Sequence, residues 1–137
     1  MLKKITAMKR VLLILLAPLL MATQCEDDFV DSGFETTYLI QNDTNDDLFL
    51  LENGQFTTIV ARTLVPIASD LNPDTEPIRP SQTVALTHIK LYRSQGGDFI
   101  LVYQQDPIND ESWDFEEPES NRFEYTLTIT DTVIDGG

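Results

Sequence analysis

Residues 123–130 read Phe-Glu-Tyr-Thr-Leu-Thr-Ile-Thr, a strict alternation of apolar and polar side chains over eight positions. An extended chain points successive side chains to opposite faces, so only a strand sorts this stretch into one apolar and one polar side. Phe123, Tyr125, Leu127 and Ile129 therefore face inward. Glu124 and three threonines face water, as in an antiparallel sheet with one solvated face.

Two further stretches carry the turn chemistry of hairpins. Residues 48–52 and 55–61 flank Asn53-Gly54, a dipeptide whose two members tolerate the positive φ of a type I′ turn. The pairing this implies sets Leu51 opposite Phe56 and Leu48 opposite Ile59. The two pairs fall on opposite faces, so the hairpin is either buried on both sides or shifted by a bulge. Residues 83–93 and 98–105 flank Gly96-Gly97 in the same way. Phe99, Leu101 and Tyr103 share one face there, and Ile100 and Val102 the other. Val84 and Leu86 are out of phase with Ile89 and Leu91, which predicts a bulge or break near Thr87-His88.

The rest of the chain is read around these elements. Residues 36–41 make a first strand, ended by the turn-forming run 42–47. Residues 64–68 make another short strand. Residues 69–82 form a long connection, since Pro73, Pro77 and Pro80 exclude a central strand. Residues 106–121 form a second, acidic loop around Trp113. About seven short strands with turn signals between them predict an all-β fold, an antiparallel β-sandwich of immunoglobulin-like or similar plan. A small open β-barrel is the alternative. The organisation is a leader over 1–24, an acidic tether over 25–35, one β domain over 36–131 and a tail over 132–137.

Charge bears on partners. All 23 acidic residues, but only five of the nine basic ones, lie from Cys25 onward, leaving that part near −18. Such a balance repels nucleic acid and anionic surfaces and suits solvation, cationic partners or divalent ions. Asp43, Asn45 and Asp47 have the one-three-five spacing that opens an EF-hand loop. Leu48 stands where the glycine belongs and Gly54 where the bidentate glutamate belongs, so the EF-hand reading fails. These three are retained only as weak calcium candidates, with no other cofactor expected. The single histidine, His88, falls within a predicted strand, and no Gly-x-Ser-x-Gly elbow is present. A catalytic triad and a zinc site are thus both poorly supported. So many carboxylates let any pair be chosen, so glycosidase pairing carries no signal. The chain is not expected to be an enzyme. Trp113 caps the core or offers an aromatic contact for a protein or glycan partner.

The first residues give an address. Lys3, Lys4, Lys9 and Arg10 precede residues 11–20, nine of them apolar and one Pro18. A basic flank, a short apolar run and small residues make a secretory signal peptide. The run is too short to span a bilayer, which takes about 20 apolar residues. Met8-Lys9-Arg10 would open a compact signal by itself, so the start lies at Met1 or Met8. Cys25, the single cysteine, follows directly. Leu20, Met21, Ala22, Thr23 and Cys25 resemble the lipobox of bacterial lipoproteins. Gln24 departs from it, standing where Gly, Ala or Ser usually precedes the cysteine. The resemblance implies a diacylglycerol on the Cys25 thiol, cleavage before it, and acylation of the new amino terminus with fatty acid such as palmitate. The plain alternative is an ordinary signal peptide cut near Ala22, leaving a free thiol. Glu26, Asp27 and Asp28 resemble the acidic export signal that carries lipoproteins of Bacteroidetes-type bacteria to the exterior face of the outer membrane. The whole is similar to small flavobacterial-type lipoproteins, a likeness that implies architecture and location but no activity. The expectation is a lipid-anchored, surface-displayed envelope protein with a binding or structural β domain. The alternatives are a periplasm-facing accessory of an envelope assembly and, least favoured, a small secreted hydrolase.

Overall fold

Both glycine-marked hairpins form where their turn chemistry places them. The computed structural model, which describes residues 34–72 and 75–136, joins β2 (Leu48–Glu52) to β3 (Gln55–Ile59) through Asn53 and Gly54, at φ 48° and 77°. Two successive positive φ values match the twist of the flanking strands. Leu48 pairs with Ile59 and Leu51 with Phe56, in the expected register. Burial is on one side only. Leu48, Leu50 and Ile59 are core residues, whereas Phe49, Leu51 and Phe56 lie on the opposite face.

The second hairpin turns at Gly96 and Gly97, at φ 62° and 89°, between β5 (Ile89–Gln95) and β6 (Asp98–Gln105). Its first arm is shorter than expected, because residues 83–88 are bends and coil. The phase break near Thr87-His88 is where the strand begins, and His88 lies just outside it. The bulge sits elsewhere. Leu91 pairs with Tyr103 and Tyr92 with Leu101, leaving Val102 without a partner. One extra residue reverses the side-chain phase. Phe99 and Leu101 therefore stay on the outer face, while Tyr103, expected beside them, packs with Val102 against the core.

Four more strands complete the fold: β1 (Phe34–Asn42), β4 (Thr63–Asn72), β7 (Trp113–Glu119) and β8 (Arg122–Ile129). They form sheet A, in the order β4-β1-β8-β7. Sheet B has the order β3-β2-β5-β6. All pairings are antiparallel except β1 with β8, which run parallel with Tyr38 beside Tyr125 and Ile40 beside Leu127. The two sheets share no strand, so the molecule is a β-sandwich and the barrel alternative is set aside. The described residues hold eight strands where about seven were expected.

Three further segments differ from expectation. β4 continues through residues 69–72, taken from sequence as connection. It is an edge strand, where a proline leaves no ladder bond unmade, and its register shifts beside Pro66. β7 occupies the middle of the expected acidic loop. The expected tail opens with a short helix, α1 (Asp131–Asp135), whose N-cap Thr130 accepts a hydrogen bond from the Val133 amide. Gly33–Gly137 pack as one compact unit, wider at both ends than 36–131.

The core joins the inner faces of both sheets. Tyr38, Ile40, Leu127 and Ile129 of sheet A meet Leu48, Leu50, Ile59 and Leu91 of sheet B. The four inward residues of β8 are all buried, and the outward Glu124, Thr126 and Thr128 are half-buried. Tyr38 is fully buried, stacked on Tyr125 at 6.1 Å and edge-on to Trp113 at 6.4 Å. Its hydroxyl donates to the Ile78 carbonyl at 2.8 Å, and the Ile78 amide donates to Thr36 Oγ1 at 3.2 Å. The long connection is held to the sandwich through such bonds. Thr83 donates to Asp70 at 2.7 Å, and the Ser81 amide and hydroxyl donate to Asp110 at 2.8 and 2.6 Å.

Burial pushes the Tyr38 phenol up to about 12 from 10.0, and the nearby charges of Asp70 and Asp110 add to it. The folded pKa lies above the unfolded one, so its contribution to stability is whole below pH 10 and is lost as pH rises toward 12. The loss should reach roughly 2–3 kcal/mol, at about 1.4 kcal/mol per unit. Urea unfolding between pH 8 and pH 11.5 should show this alkaline slope, and Tyr38→Phe should reduce it. An equal slope in the variant would contradict the assignment.

Candidate functional site

The outer face of sheet B is aromatic. Alternation along β2 sends Leu48 and Leu50 inward and Phe49 outward. Phe49 pairs with Tyr92, and Tyr92 with Leu101. Phe56 comes from one edge strand of the sheet and Phe99 from the other. Their rings nevertheless stack at 4.3 Å, although three strand spacings, about 14 Å, separate their backbones. Both side chains therefore lean across the sheet and meet over the middle strands. Phe49 stands edge-on to Phe99 at 4.9 Å and to Phe56 at 6.4 Å, and Tyr92 edge-on to Phe56 at 5.3 Å. These are the favoured geometries of aromatic pairs. The cluster is incompletely covered: Phe56 is 42 % exposed, Phe99 46 % and Leu101 43 %. A contiguous apolar surface of this kind marks an interaction site more often than an accident of composition.

Charge is divided between the two sheets. The outward strand positions of sheet B carry one cation, Lys90, and no carboxylate. The outward positions of sheet A carry Glu35, Asp114, Glu116 and Glu124, with Glu116 directly opposite Glu124 and Glu35 opposite Arg122. Arg122 is ion-paired with Glu35. Beside this pair lies an open groove of about 340 Å³ that also touches Pro118, Glu119 and Glu124. Excess negative charge thus sits on sheet A, and sheet B presents an aromatic surface without carboxylates.

The residues singled out from sequence fall elsewhere. Cys25, Glu26, Asp27 and Asp28 lie outside the described residues. Trp113 opens β7 and is only 6 % exposed. Its indole Nε1 donates to Gln105 Oε1 at 3.2 Å, so the ring belongs to the core and its one polar atom is satisfied there. Gln105 is the hub of that corner, also donating to the Tyr103 hydroxyl at 2.6 Å and accepting from the Asn109 amide at 3.2 Å. His88 is exposed, with Nδ1 3.0 Å from the Thr87 hydroxyl.

The calcium candidates are engaged by protein donors. Asp43 accepts from Gln41 at 2.9 Å, Asp47 from the Ala61 amide at 2.9 Å, and Asn45 Oδ1 from the Arg62 guanidinium at 2.8 Å. A cationic side chain already sits on the Asn45 oxygen. Among the described residues, no group of three or more His, Cys, Asp or Glu side chains is placed to hold a metal ion.

The sequence hid the bulge at Val102, which separates Phe99 and Leu101 from Tyr103. The Asn53-Gly54 register does place Phe49 and Phe56 together on one side, and that signal was legible. No family model, curated protein or solved structure matches the chain.

Proposed function

We propose that the chain is a lipid-anchored envelope protein whose sandwich serves as a binding module, with the outer face of sheet B as its contact surface. The observation that carries the anchor is the run of a basic flank, nine apolar residues and a lone Cys25 followed by Glu26, Asp27 and Asp28. Support for the contact surface comes from the aromatic cluster and its freedom from carboxylates. Phe56 and Phe99 stack, while Phe49 and Tyr92 meet them at steep angles, such as 75° between Phe49 and Phe99, so the four rings do not lie open in one plane. That arrangement suits a protein surface better than a sugar ring. The acidic outer face of sheet A keeps the molecule soluble and away from anionic surfaces.

The acidic residues after Cys25 favour display on the exterior of the outer membrane over the periplasmic side. Protease added to intact cells should digest a displayed chain and leave a periplasmic control protein untouched. Protection of the chain until the outer membrane is permeabilised would sink surface display and favour the periplasm-facing reading.

A further inference from the structure

We infer that β6, an edge strand of sheet B, pairs antiparallel with β6 of a second copy, joining the two B sheets into one of eight strands. The four edge strands differ in their defences against such pairing. β7 carries Pro118 among Asp114, Glu116, Glu117 and Glu119, β4 carries Pro66 and Asp70, and β3 is only five residues long. β6 is eight residues long, contains no proline, and has no charge after Asp98. Its three residues before the Val102 bulge are apolar and exposed on both faces: Phe99 46 %, Ile100 43 % and Leu101 43 %.

Charge and register point to a second copy as the occupant. A two-fold axis through Ile100 uses the regular stretch before the bulge. It sets Ile100 against Ile100 of the second copy, and each Phe99 against the other's Leu101. No charge then opposes a charge along the strand, whereas an axis at Val102 would set Asp98 against Asp106. The same axis keeps both outer faces on one side, so the two aromatic clusters become continuous. The carboxylates of sheet A stay clear of the junction, which an acidic chain needs if it is to meet its own copy. This inference rests on reading sheet B as the contact surface and does not depend on the anchor.

Sedimentation of the Gly33–Gly137 unit tests it. At roughly 100 µM, where small interfaces are populated, the native unit should form dimers. Association should strengthen with added salt, because screening shortens the reach of the repulsion between two acidic copies. Ile100→Lys and Leu101→Lys should each weaken dimerisation at least about tenfold, the first because two lysines then oppose across the junction and the second because a charge replaces the apolar partner of Phe99. Val84→Lys, at a residue 91 % exposed elsewhere, should not. Thermal unfolding confirms that each variant is folded, and these exposed positions tolerate lysine. A unit that stays monomeric at every salt concentration overturns the inference. Dimers that survive both β6 variants but are lost in Phe56→Lys also overturn edge pairing, and they leave the aromatic face as the contact surface.

Discussion

Asn42→Ala is expected to cost about 3 kcal/mol of folding stability, the largest effect of any single polar side chain in the sandwich. Asn42 is fully buried at the end of β1. Its Nδ2 donates to the Asp46 carbonyl at 3.0 Å and to the Ile59 carbonyl at 2.9 Å. Its Oδ1 accepts from the Thr44 amide at 3.1 Å and from the Thr44 hydroxyl at 2.7 Å. One side chain thus closes the turn between β1 and β2 and ties it to the last residue of β3. Alanine leaves several buried groups without partners, each costing about 1–3 kcal/mol before relaxation. Aspartate is nearly isosteric but should be at least as damaging. It keeps the acceptor for Thr44 and turns a buried negative charge onto two carbonyl oxygens. Urea unfolding of the two variants checks both statements, and a loss below about 1 kcal/mol for Asn42→Ala, the low end for one unsatisfied buried group, would refute the assignment.

Cys25→Ser is expected to abolish incorporation of labelled palmitate completely. A serine hydroxyl cannot supply the thioether that the proposed diacylglycerol requires, and without that step the proposed signal should not be cut before residue 25. The physical consequence is large. Each buried methylene contributes about 0.8 kcal/mol, so two or more acyl chains hold a protein at a membrane where a single chain binds only marginally. The native chain should carry the label and sediment with washed membranes. Label retained in the serine variant would place acylation elsewhere and remove Cys25 from the account.

Local chemistry made much of the fold legible. The two hairpins follow from Asn53-Gly54 and Gly96-Gly97, whose positive φ values are properties of adjacent residues. β8 follows from eight alternating positions. The parts that escaped depend on partners far away in sequence. β7 reads as an acidic loop because Trp113-Asp114-Phe115-Glu116 alternates too briefly before Pro118 interrupts it, and pairing with β8 supplies the rest. The end of β4 reads as connection because Ser69, Asp70 and Asn72 favour turns, and pairing with β1 overrides that preference. The parallel pairing of β1 with β8 joins the two ends of the domain, and no local pattern announces it.

The candidate surface was half legible for the same reason. Phe49 and Phe56 are brought together by a turn that can be read directly. Phe99 and Leu101 join them through the Gly96-Gly97 turn, which sets them opposite Ser94 and Tyr92, whereas the loss of Tyr103 from that face depends on Val102 dropping out of the ladder. Trp113 drew attention as the single tryptophan in an acidic run, yet Gln105 satisfies its indole and the ring fills the core. Neither partner signals the other, since a glutamine and a tryptophan eight residues apart meet only through the turn between β6 and β7.

A lipid on Cys25 is proposed to hold this sandwich at a membrane. Intact mass measurement of the protein purified from bacterial membranes tests it most directly. The expected product is a chain beginning at Cys25 that carries the added mass of acyl groups. An unmodified chain beginning at another residue would contradict it and leave Cys25 a free thiol or part of a discarded leader.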